Sequence, residues 1–112
     1  MADAPSPSDD HPIISEFADD PEMVELVRLY VSEMPERVRN IWSAWQGGQI
    51  ESLTRLAHQL KGASAGYGFG QIGEAAARLE ASLRALESEG EAAKDLDPQV
   101  RALVDLCERA RG

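Results

Sequence analysis

The 112-residue sequence predicts an all-α domain: an antiparallel up-down-up-down four-helix bundle with a short N-terminal helix. Three observations lead there. Apolar residues recur at steps of three and four through four separate stretches, which is the period of a helix with one buried face. No stretch alternates at period two over a useful length, so strands are not expected. The periodic stretches are divided by short connections marked by glycines or by an acid followed by proline, and short connections make consecutive helices antiparallel neighbours.

The chain is long enough for a single core without metal or disulfide staples. Residues 1–11 read as a disordered acidic tail and 12–112 as the bundle domain. The first 20 residues hold six of the 20 acids (Asp3, Asp9, Asp10, Glu16, Asp19 and Asp20) and none of the 11 bases. The tail is a solvating segment on this reading. With a net charge of −9 and no basic stripe, nucleic-acid binding is not expected. No apolar run reaches the ~20 residues of a membrane span, and no basic-then-apolar leader opens the chain. The one cysteine, Cys107, fits a reducing compartment. The expectation is a cytoplasmic monomer with no membrane partner.

Taken in order, Pro12 to Phe17 carries a few apolar residues that could pack over the bundle end as the short helix. Asp19-Asp20-Pro21-Glu22 then starts a long helix, with an acid at the cap and proline in the first turn. Its stripe is Met23, Val27, Tyr30, Met34, Val38, Ile41 and Trp45, widened by Val24, Val31 and Trp42, and it stops at Gly47-Gly48. Pro35 falls inside it and should bend it. The second long helix begins near Gln49, with Ile50, Leu53, Ala57, Leu60, Ser64 and Tyr67 inward. Gly66, Gly68, Gly70 and Gly73 mark a turn and a restart. A third helix follows with Ile72, Ala76, Leu79, Leu83 and Leu86, ending around Ser88 to Gly90. Asp97-Pro98 opens the fourth, with Val100, Leu103, Val104 and Cys107 inward. The tryptophans and methionines lie in register with these stripes and read as packing residues, and Cys107 as a small buried apolar group.

One position breaks the plain bundle reading. At ~100° per residue, His58 lies about 140° from the middle of its helix's stripe, so it faces solvent. Arg55, Lys61, Gly62 and Ala65 share or flank that face. A glycine inside a helix costs about 1 kcal/mol relative to alanine. Gly62 sits one turn from His58 on the exposed face, where core crowding does not explain it. Removing the Cβ there would let another protein approach the imidazole, which points to a docking site. His11 lies in the tail and is not read as a ligand. No phosphate-cradling loop, nucleotide signature or metal spacing occurs elsewhere, which excludes an autonomous kinase.

The run Leu56 to Gly68 resembles the histidine-containing phosphotransfer (HPt) domain. That family has His, then Lys three residues on, Gly at four and Gly at ten, matched here by His58, Lys61, Gly62 and Gly68 without a gap. The family commonly tolerates a proline where Pro35 stands, so one bent first helix is expected. The resemblance implies a phosphorelay intermediate: His58 would accept a phosphoryl group from a receiver-domain aspartyl phosphate and pass it to another receiver. Lys61 would offset part of the phosphoryl charge. The family also places a Gln or Glu twenty-two residues after the histidine, which is Glu80 here, following Leu79. Glu80 lies about 80° from its own stripe's centre, where it could take the Nδ1–H of His58 and leave the Nε2 lone pair outward; pairing with Arg84 at i+4 is the plainer alternative. The implied partners are receiver domains and a sensor histidine kinase. The protein would be a carrier and not an enzyme, binding no cofactor itself, with Mg²⁺ held by the partner. Two other readings stay open: direct phosphorylation of His58 by a chemotaxis-type kinase, and a helical adaptor or kinase inhibitor that never carries phosphate.

Overall fold

The computed structural model describes residues 11–89 and 96–112. Residues 1–10 of the expected tail and the connection after the third expected helix lie outside them. Among the described residues the fold is all-helical apart from one short bridge. The elements are β1 (Ile13–Ile14), α1 (Val24–Ser32), α2 (Met34–Gln46), α3 (Ile50–Gly66), α4 (Gly70–Glu89), α5 (Leu96–Glu108) and β2 (Ala110–Arg111).

The stripes supply most of the core, and Phe69, Leu96 and Ala110 join it from outside them. Val27, Tyr30, Met34, Val38, Ile41, Leu53, Ala57, Leu60, Ile72, Ala76, Leu79, Leu83, Val100, Leu103, Val104 and Cys107 are all buried. Burying each larger aliphatic side chain contributes about 1.5–3 kcal/mol against conformational entropy. Met23, Trp42 and Trp45 pack at its edge. Helix α3 packs against α4, α4 against α5, and α2 against both α3 and α5. Several pairs fix the register. Trp45 near the end of α2 donates its indole N–H to Asp97 at the start of α5, at 2.9 Å. The Tyr30 and Ser64 hydroxyls share a buried hydrogen bond of 2.6 Å between α1 and α3. At Gly73, an added Cβ would lie 3.3 Å from the Lys61 carbonyl oxygen, so that glycine lets α4 approach α3 closely.

Two expectations need correction. The segment from Pro12 to Phe17 does not form a helix. Ile13 and Ile14 pair in parallel with Ala110 and Arg111, and the Ile13 and Ser15 amides donate to the carbonyls of Arg109 and Arg111. So short a stretch nucleates a helix poorly, and its backbone groups find partners at the far end of the chain. Ser15 Oγ also donates to the Tyr67 carbonyl at 2.7 Å, and the Glu16 amide to the Gly68 carbonyl at 3.0 Å. The second correction concerns the first long helix, which is two helices separated at Glu33. Pro35 has no N–H to offer the Val31 carbonyl and instead occupies the first turn of α2, where the missing donor costs nothing. An Arg37–Glu33 ion pair of 2.9 Å bridges the joint.

Asp20 still organises the start of α1: its carboxylate accepts from the Glu22 amide at 2.9 Å, and its carbonyl from the Val24 amide. Asp97 lies within the first turn of α5, not ahead of it. Arg101 and Trp45 both donate to it and hold its carboxyl below the usual carboxylate range.

Candidate functional site

His58 stands on the outer face of α3, its side chain 59% exposed. Its position follows from the helical stripe: Leu53, Ala57, Leu60 and Ser64 are drawn into the core, which turns His58 outward. Glu80 projects from α4 toward the same spot and is itself buried at 6% exposure. The close α3–α4 approach at Gly73 supports the register that brings them together.

Glu80 is the hub of the site. His58 Nδ1 lies 2.9 Å from Glu80 Oε2. Arg84, one turn further along α4, donates to that same oxygen through Nε at 3.0 Å and Nη2 at 2.6 Å. Lys61 Nζ lies 3.0 Å from the other oxygen, Oε1. The Arg84 hydrogen bonds chiefly, then those of Lys61 and His58, outweigh the cost of burial and hold the Glu80 carboxyl down at about 2. Glu80 is therefore an anion that can only accept. The hydrogen in the His58 bond must then sit on Nδ1, and in the neutral ring the lone pair is on Nε2.

Beside the imidazole is a polar groove of about 390 Å³ lined by Glu51, Thr54, Arg55, His58, Arg84 and Glu87. Arg55 is thus beside His58, as the face arithmetic suggests. Gly62 is exposed, and a Cβ built on it would meet nothing within 4 Å beyond the adjoining backbone of its own helix. Ala65 is exposed too, and lies next to Gly73. Gly68 is different in kind. Its φ is +85°, and a Cβ there would lie 2.6 Å from Ser15 Oγ and 2.9 Å from the Glu16 amide nitrogen. It is required by a tight turn and a crossing chain, not by access to the histidine.

Two features of the site go beyond the sequence reading. Lys61 is tied to Glu80 across the helix pair, not only poised beside His58 on its own helix. Arg84 joins the His58–Glu80 pair, so the two partners weighed as alternatives for Glu80 are bound together. The i+4 spacing of Glu80 and Arg84 was the available signal for the second; nothing local signals the first.

Among the described residues, no group of three or more His, Cys, Asp or Glu is placed to hold a metal ion, and no helix is long and apolar enough to cross a membrane. No curated protein and no solved structure matches the chain. The family model of the Hpt domain matches residues 25–112, from the start of α1 to the last residue, and so takes in His58, Lys61, Gly62 and Glu80. On that match over most of its length, the chain belongs to the Hpt domain family, phosphocarrier modules that perform histidine phosphotransfer in two-component signalling.

Proposed function

We propose that this protein is a phosphorelay intermediate in which His58 is the phosphoacceptor. The observation that carries the reading is the exposed imidazole whose Nδ1–H is given to a buried carboxylate, leaving Nε2 as the nucleophile. The Nε2 lone pair attacks the phosphorus of a receiver aspartyl phosphate. The P–O bond to the aspartate breaks, the carboxylate leaves, and an N–P bond forms. The positive charge that develops on the ring faces Glu80, and the Nδ1–H stays in its hydrogen bond. Transfer onward to a second receiver is the same step reversed, both bonds being high in energy. Lys61 is one turn from His58 and can exchange Glu80 Oε1 for the phosphoryl oxygens, offsetting part of their charge. Receivers dock over Gly62, Arg55 and Ala65. They, or a kinase, bring the Mg²⁺ and the acidic pocket that neutralise the transferring group. The chain binds no cofactor and acts as a monomeric cytoplasmic carrier.

The scaffold for this is an antiparallel up-down-up-down bundle. Two registers support it. The end of α2 meets the start of α5 through Trp45 and Asp97. As α3 advances from His58 to Lys61, its neighbours on α4 run back from Glu80 to Gly73.

The presence of an acid at position 80 also suits direct phosphorylation by a chemotaxis-type kinase, whose phosphotransfer domains share it. Incubation with phosphorylated receivers and, separately, with ATP-loaded kinase catalytic domains distinguishes the routes. The expected product in either case is an acid-labile, base-stable phosphate that His58→Gln abolishes. If neither donor labels His58, or if His58→Gln leaves signalling intact, the adaptor reading replaces this one.

A further inference from the structure

We infer that Arg84 is a positioning residue for phosphotransfer: it holds the Glu80 carboxylate on the Nδ1–H of His58 independently of Lys61. The inference rests on His58 being the phosphoacceptor, but it concerns a residue that neither touches the phosphoryl group nor belongs to the His-Lys-Gly pattern.

Four donors divide unequally between the two oxygens of Glu80. Oε2 receives His58 Nδ1 and both Arg84 nitrogens, while Oε1 receives Lys61 alone. The two cations also differ in where they are anchored. Lys61 is on α3, on the same face as His58. Arg84 is on α4, one turn from Glu80, so its grip is internal to the helix that carries the carboxylate. A phosphoryl group on Nε2 attracts the ammonium of Lys61, one turn along α3, its side chain 42% exposed. A Glu80 held only by Lys61 would lose its anchor at the moment the ring needs it. A glutamate has three side-chain torsions and several staggered states open to it. Two donors from a planar guanidinium fix the carboxylate more firmly than one ammonium does. Arg84 therefore keeps the orienting carboxylate in place while Lys61 changes partner.

A competing view has the opposite sign. Three donors crowd onto Oε2, so Arg84 could draw the carboxylate away from His58. Unconstrained neutral imidazole favours the Nε2–H form, so the tautomer of His58 separates the two views. The test uses the full chain as wild type and as Arg84→Ala, Arg84→Gln, Arg84→Lys and Glu80→Ala. Long-range ¹H–¹⁵N spectra at a pH where the ring is neutral give the tautomer ratio, and phosphate uptake from a phosphorylated receiver gives the rate. Arg84 is 59% exposed, so its replacement leaves the core untouched. The expected result is a several-fold shift toward Nε2–H in Arg84→Ala and Arg84→Gln, in the direction of Glu80→Ala. Uptake should slow by on the order of tenfold, with Arg84→Lys recovering part of both. An unchanged or more strongly Nδ1–H ratio in Arg84→Ala overturns the inference, and a rate loss without a tautomer shift also does so by assigning Arg84 to docking. If the tautomer shifts as expected but no variant, wild type included, takes up phosphate, positioning stands and the phosphorelay reading falls.

Discussion

A methyl group placed at Gly62 meets no atom beyond the adjoining backbone of its own helix within 4 Å, and the position is inside α3. Gly62→Ala should therefore show only the helix-propensity gain, about 1 kcal/mol. For a domain of this size that raises the unfolding midpoint by roughly 5 °C. The same methyl stands one turn from His58 on the face proposed for receiver docking. If the glycine is there to clear that approach, the added volume overpacks the docked interface, at a cost of about 1–3 kcal/mol, or roughly 5-fold to 150-fold in affinity. Calorimetry of the free protein and phosphate uptake from a subsaturating phosphorylated receiver measure the two effects separately. A variant more stable than wild type but slower in uptake is the expected outcome. A stability gain with unchanged uptake would refute the docking role of Gly62, and a stability loss would refute the open environment on which the estimate rests.

Three further outcomes follow from the geometry. Gly68→Ala should lose about 2 kcal/mol or more, because φ is +85° and the new Cβ collides with Ser15 and Glu16; calorimetry checks the loss, and faster exchange of the Glu16 amide locates it. Glu80, held at about 2 against an ordinary 4.5, stabilises the fold fully above pH ~4.5 and progressively less as pH falls toward about 2. Its partners are exposed and solvent-screened, so that contribution is about 1–2 kcal/mol; urea midpoints of wild type and Glu80→Gln should converge over this window, and a pH-independent difference counts against the ion-pair network. Burial pushes the Cys107 thiol up to about 12, so a thiol reagent at neutral pH should label it only through opening of the fold, at a rate that rises with added urea; labelling as fast as free cysteine contradicts the packing of α5.

Periodicity made legible the residues that report on their own helix, and contacts between helices were not legible in it; the one such contact expected, His58 with Glu80, came from the family resemblance. The stripes of Val27 to Ile41, Leu53 to Ser64 and Ile72 to Leu83 located the core because a 3.6 period states which side is inward. The same arithmetic placed His58 outward and left Glu80 at an edge. Phe69, fully buried and tilted against Tyr30 at 6.0 Å between ring centroids, was hidden among glycines that signalled only a turn. Ile13 and Ile14 looked like a short helix because their true partners, Ala110 and Arg111, are almost a chain length away. Pro35 signalled a disturbance, and its effect is a break two residues earlier because Pro35 is accommodated in the first turn of a new helix. Lys61 was legible as a neighbour of His58 but not as a partner of Glu80, since the α3–α4 register is set by packing.

That register is what joins fold to chemistry. Glu80 can reach His58 and Lys61 only if α4 lies close to α3. The two helices approach closely at Gly73, where a hypothetical Cβ would lie 3.3 Å from the Lys61 carbonyl oxygen. Gly73 therefore leaves out a Cβ on the inner face, as Gly62 does on the outer one. It removes a Cβ so that backbones approach, while Gly62 removes one where only solvent or another protein can enter. Lys61 lies between these two glycines: its carbonyl faces Gly73, and its ammonium ends on the carboxylate that also meets His58 Nδ1. A bundle with the same stripes but a bulkier residue at position 73 would still bury Leu60, Ile72 and Ala76, yet it would hold its carboxylate further from the ring.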